Sequence, residues 1–123
     1  MRVEYQKTLQ IVRKRLEGLL YHIAEDSSHL AVLDNGTCWK ICVEGERYSD
    51  STILLLRYLP VGSDASEEFA VWILMEAFEG IFGSPHVVPR LDAQLDFLYK
   101  HLSNGFPDPA VFRVAYEQLN QPD

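Results

Sequence analysis

Residues 86–105 read HVVPRLDAQLDFLYKHLSNG, and two different folds hang on them. Taken at the helical repeat, Leu91, Leu95, Leu98 and Leu102 form one stripe. Lys100 and His101 then fall in the last turn and Gly105 lies just beyond, as a helix end favours. Taken at the strand repeat, VVPRL and LDFLYKHL pair around a turn at Asp92 to Gln94, with Leu95, Phe97 and Tyr99 on one face. Helix propensity favours the first reading. The stretch carries both periods, so its neighbours must decide.

Downstream, Asp108-Pro109 is an N-cap followed by proline at the first helical position. Val111, Phe112, Ala115, Tyr116 and Leu119 give that closing helix its apolar face, and Pro122 stops it. Upstream, Asp64-Ala-Ser-Glu67 fits a capping box that opens a second helix. The run FAVWILMEAFEGIF, residues 69–82, is apolar nearly all round, as for a helix buried on several sides or shared with another subunit. Gly83 and Ser84-Pro85 end it.

Three strands are expected before that helix. HLAVLD (29–34) leads into Asn35-Gly36, a strong hairpin signal because both turn positions favour positive φ. TCWKICVE (37–44) alternates, with Trp39, Ile41 and Val43 on one face and Cys38, Lys40 and Cys42 on the other. STILLLRYLP (51–60) is apolar on both faces, like a central strand. The chain opens with a helix expected over 3–25, where Tyr5, Leu9, Val12, Leu16, Leu19 and Ile23 recur at steps of four and three.

The 123 residues fit one domain, 1–123, with neither repeat nor linker. A composition of 47% hydrophobic and 24% charged residues is that of a globular chain. No run is apolar enough to span a bilayer, and the amphipathic start does not resemble a signal peptide, so cytoplasmic residence is expected. The formal net charge of −7 argues against nucleic acid, whose partners need clustered Lys and Arg. Arg13, Lys14 and Arg15 read as a solvated helix face.

The search for chemistry finds little. Residues four apart on a strand are roughly 13 Å apart, whereas a disulfide needs Cα atoms within about 7 Å. Cys38 and Cys42 therefore cannot bridge each other. Their spacing lacks the close pair of a zinc site, and His22, His29, His86 and His101 are scattered. There is neither a nucleophile elbow nor a phosphate loop. The carboxylates fall in loops and on solvent faces, with Asp96 nearest to an apolar stretch. No metal, cofactor or enzymatic activity is expected. A small sheet has edges, and an edge accepts an extended peptide, which points to a binding module.

The segment ILLLRYLPVGSDASEEFAVWILMEAFEGIFG, with GTCWKICVEG (36–45) before it and HVVPRLDAQLDFLYKHLSNGFPDPAVFRVAYEQL after it, resembles the small acidic chaperones of bacterial type III secretion. The likeness covers nearly the whole chain and is a pattern of apolar spacing. It implies an α+β fold in the order α-β-β-β-α-β-β-α, and so tips 86–105 toward the strand pair. Pro89 would then mark an edge or bulge in the fourth strand. It implies a non-catalytic homodimer that holds the N-terminal region of a secreted effector in extended form, soluble and ready for export. The implied dimer interface is Phe69, Trp72, Ile73, Met75, Phe78 and Val87. Implied effector-binding residues are Leu9, Val12, Leu16 and Leu20 on the first helix, and Leu30, Val32, Trp39 and Ile41 on the sheet. The alternative is an immunity or antitoxin protein that blocks a cognate toxin, which would be equally small, acidic and free of catalytic motifs.

Overall fold

The computed structural model describes residues 3–27, 29–45, 52–79 and 89–120. Helix α1, Val3–Arg15, buries Tyr5, Leu9 and Val12 on one stripe, which Leu16 continues, and carries Arg13, Lys14 and Arg15 in its last turn. Those cations suit the carbonyl end of the helix. The helix does not run to residue 25. It tightens into a 3-10 turn, Glu17–Leu19, and Leu20 closes that turn with φ 68 and ψ 22, donating its amide to Glu17 O at 2.9 Å. A left-handed leucine ends a helix, and the next residues turn back as a strand.

That strand, β1 (His22–Asp26), starts a five-stranded antiparallel meander. β2 (Leu30–Asp34), β3 (Trp39–Gly45), β4 (Thr52–Tyr58) and β5 (Glu67–Ala70) follow in sequence order. Ile23 of the expected helical stripe lies opposite Leu33 instead. Trp39, Ile41 and Val43 do share the buried face of β3, while Lys40 and Cys42 take the other. The turn before β3 is longer than the expected two residues: β2 ends at Asp34 and β3 begins at Trp39. Gly36 alone takes positive φ there, at 85°, and Asn35 uses its side chain rather than its backbone to shape the turn.

The capping box at 64–67 does not form. Glu67 pairs with Tyr58 and Phe69 with Leu56, so 67–70 extend the sheet by a strand. The Glu67 carboxylate is held by Arg113 Nε at 3.0 Å instead of turning back on its own backbone. Pairing the outer side of β4 outweighs a local cap. Helix α2, Val71–Glu79, starts later than expected, and residues 80–82 lie outside the described residues.

The largest correction falls on 86–105. Residues 86–88 are outside the described residues, but 91–103 form one helix, α3 (Leu91–Ser103), and not strands. Leu95 and Leu98 are fully buried, and Leu91 and Leu102 pack partly against the same cluster. Pro89 precedes the helix, where its carbonyl accepts from Gln94 Nε2 at 2.9 Å. Helix α4, Pro109–Leu119, starts at the expected cap, with Asp108 Oδ1 accepting from Ala110 N at 2.9 Å. Its inward face is Phe112 and Tyr116, whereas Val111 and Ala115 are exposed.

The described chain is thus α+β in the order α-β-β-β-β-β-α-α-α. It does not follow the order that the resemblance implied. One face of the sheet joins the inward residues of all four helices in a single core. Rings from every layer meet there: Trp39 lies 4.7 Å from both Tyr58 and Phe106, and Phe69 stands edge-on to Phe112 and Tyr116.

Candidate functional site

Where the β2–β3 connection, the end of β4 and the α3–α4 connection converge, they enclose a pocket of about 420 Å³. Each wall has a local cause. Asn35 Nδ2 donates to Leu19 O at 2.9 Å, tying the turn to the 3-10 segment. Its Oδ1 accepts from Thr37 Oγ1 at 2.7 Å and from Thr37 N at 3.2 Å, an Asx turn that fixes residues 35–38. Asp34 anchors the other side of the turn, accepting from Gly36 N at 3.0 Å and from Lys40 Nζ at 3.0 Å. The Gly36 amide, aided by Lys40, holds the Asp34 carboxyl below the usual carboxylate range.

Trp39 forms the aromatic floor, with Tyr58 and Phe106 beside it. Tyr21 closes one side and donates its hydroxyl to Trp39 O at 2.8 Å. Burial pushes that phenol up to about 12, so it remains a neutral donor. Tyr58 is raised as well, first by desolvation and then by the nearby charge of Asp108. Leu19 and Leu102 complete the apolar wall, and Asp108 brings a carboxylate to it. Gly105, with φ 84, turns the chain out of α3 at the rim.

The lining is mainly aromatic and apolar around one carboxylate, Asp108. The lining holds one thiol, Cys38, but His22 is on β1, and His101 faces Glu79 at 3.1 Å. Among the described residues, no three His, Cys, Asp or Glu side chains are grouped to hold a metal ion. Cys38 and Cys42 are both free thiols, and burial pushes Cys42 up to about 11. No described helix is long and apolar enough to cross a membrane.

The expected site residues scatter. Leu9, Val12, Leu16, Trp39 and Ile41 are in the core of the chain itself, and Val32 is buried on the opposite sheet face. Leu30 is half-buried and Leu20 is 78% exposed. Of the expected dimer residues, Phe69, Ile73 and Met75 belong to the same core, Trp72 and Phe78 are half-buried, and Val87 is outside the described residues. Only Trp39 belongs to the pocket. Sequence reasoning did not assemble Tyr21, Tyr58, Phe106 and Asp108, which come from three separate places in the chain. The one local signal was the Asp108 cap, which fixed a carboxylate in space without showing what it faces.

A second feature is the sheet edge. β1 pairs with β2 alone among the described strands, and His22, Ala24, Glu25 and Asp26 are exposed. Its register shifts between Ile23 and Glu25, a bulge in the outermost strand. No family model, no curated protein and no solved structure matches this chain.

Proposed function

We propose that this chain is a non-catalytic binding protein, and that an extended segment of a partner polypeptide adds to its sheet along β1. The observation that carries this is the exposed outer strand, His22–Asp26. An open edge offers a row of backbone donors and acceptors that a second strand can pair. The bulge and the acids Glu25 and Asp26 guard it against indiscriminate pairing, so a matching segment has to be basic or neutral.

In the form that the resemblance implies, the segment is the N-terminal region of a type III secretion effector, and the chain is its homodimeric chaperone. The element order lends that form no support, since α3 replaces the hairpin, so it rests on the edge alone. A dimer through α2 would have to use Trp72 and Phe78, which the core leaves half-exposed. The immunity or antitoxin form is favoured by a different observation, the exposed acids Glu25 and Asp26 on β1 and Glu44 on β3, on either side of β2. Both forms act in the cytoplasm and need no cofactor.

The test is co-expression with the product of the adjacent gene, whole and in fragments. An N-terminal fragment should be retained, and amide exchange across residues 22–26 should slow in the complex. Retention of a folded domain alone, with exchange at 22–26 unchanged, would overturn the extended-segment reading.

A further inference from the structure

We propose that the pocket at the end of the sheet receives a guanidinium, the side chain of an arginine carried by the partner segment. The source of that arginine rests on the binding role above; the preference of the pocket for a cation does not.

Asp108 is the one charged residue in the lining, which has neither lysine nor arginine. Its carboxylate is already oriented, because Oδ1 accepts from Ala110 N. That cap hydrogen bond answers the positive end of α4 within the chain. The carbonyl end of α3 contributes Leu102 and Gly105 to the same wall, and a helix C-terminus favours a cation.

The aromatic floor selects among cations. Trp39, Tyr58 and Phe106 line the pocket with their rings packed at centroid distances of 4.7 Å about Trp39, and a cation near a ring is attracted within about 6 Å. Guanidinium is planar and weakly hydrated and stacks on rings, whereas an ammonium keeps its water. The net charge of −7 draws basic segments to the whole surface. Tyr21, a wall of the pocket, is also the residue immediately before β1. A segment paired along β1 therefore runs off its His22 end beside the pocket, where one arginine side chain can enter.

The test is an NMR titration with N-acetyl-arginine methylamide, set against the neutral citrulline analogue and the lysine analogue. Saturable shifts are expected at the Trp39 indole and the Gly36 and Gly105 amides, strongest for arginine. Asp108→Asn retains a capping oxygen, so the fold survives, and it should weaken the arginine probe about tenfold, ~1.4 kcal/mol. Citrulline binding as well as arginine, lysine binding more tightly, or Asp108→Asn without effect would each overturn the assignment. If wild type and Asp108→Asn capture the partner equally, the arginine is not the partner's and the binding role still stands. If the probe binds and no partner is captured, the pocket assignment stands and the binding role fails.

Discussion

Tyr21 shows how one side chain can tie the fold to the pocket. Its ring is buried and its hydroxyl is used on Trp39 O, so ionising it would put a charge where water cannot reach. In an unfolded chain a tyrosine loses its proton near pH 10; burial holds Tyr21, and likewise Tyr5, up to about 12. Between those values the folded state binds more protons than the unfolded one. Stability is therefore full below about pH 10 and is lost as pH rises through about 12. Urea midpoints measured against pH should fall across that window, and Tyr21→Phe should flatten the fall. At neutral pH the same change should cost about 1 kcal/mol for the lost hydrogen bond. The thiols divide in the same manner. Cys42 is buried and its thiol is raised to about 11, whereas Cys38 is half-exposed at the pocket. Iodoacetamide at pH 8, followed by mass spectrometry, should label Cys38 at least about tenfold faster than Cys42. Cys42→Ser should leave partner binding intact, since Cys42 lies on the sheet face away from the shared core and outside the pocket lining.

At the scale of elements, α3 is where local physics was right and pattern-matching to a family misled. The leucine stripe and the basic last turn of 91–103 are visible in the sequence, and the helix forms on them. In a strand pair Leu95, Phe97 and Tyr99 would share one buried face. In the helix Leu98 replaces Tyr99, which is 43% exposed. Leu98→Ala should therefore cost about 2–5 kcal/mol in urea unfolding, and Tyr99→Ala less than half of that. Equal costs, or the reverse order, would contradict the helix. β1 and β5 were illegible for the opposite reason. Ile23 falls on the helical stripe by spacing, and Asp64 to Glu67 spells a helix cap, yet Ile23 lies in β1 and Glu67 opens β5. What overrides them is long-range pairing, Ile23 with Leu33 and Phe69 with Leu56, to which a local window is blind. Gly45 shows the same blindness at closer range. A Cβ there would come 2.7 Å from Tyr5 Cδ2, so α1 and β3 approach through a missing side chain. Gly45→Ala should destabilise by about 1–3 kcal/mol, because the Tyr5 ring has to move.

For the molecule as a whole, charge and edge make different demands on a partner. The net charge of −7 acts at a distance and would set how fast the proposed basic partner arrives. In the proposed binding role, backbone pairing along β1 would act on contact and set how long the partner stays. The two can be separated by salt, because the screening length shrinks from roughly 10 Å at 0.1 M to 3 Å at 1 M. Association with the partner should slow by about tenfold between 0.05 and 0.5 M salt, while dissociation should change little. Glu25→Lys with Asp26→Lys reverses the charge on the edge without removing a backbone group. That variant should associate slowly at every salt concentration and show a flatter dependence, with dissociation near that of wild type. Asp108→Asn should behave in the opposite sense, with nearly normal association and faster dissociation, because its carboxylate meets the partner only after docking. Stopped-flow traces for the three proteins against one partner separate these contributions. Salt-independent association in the wild type would mean that the acidity serves solubility alone, and that the edge and the pocket choose the partner without help from the field.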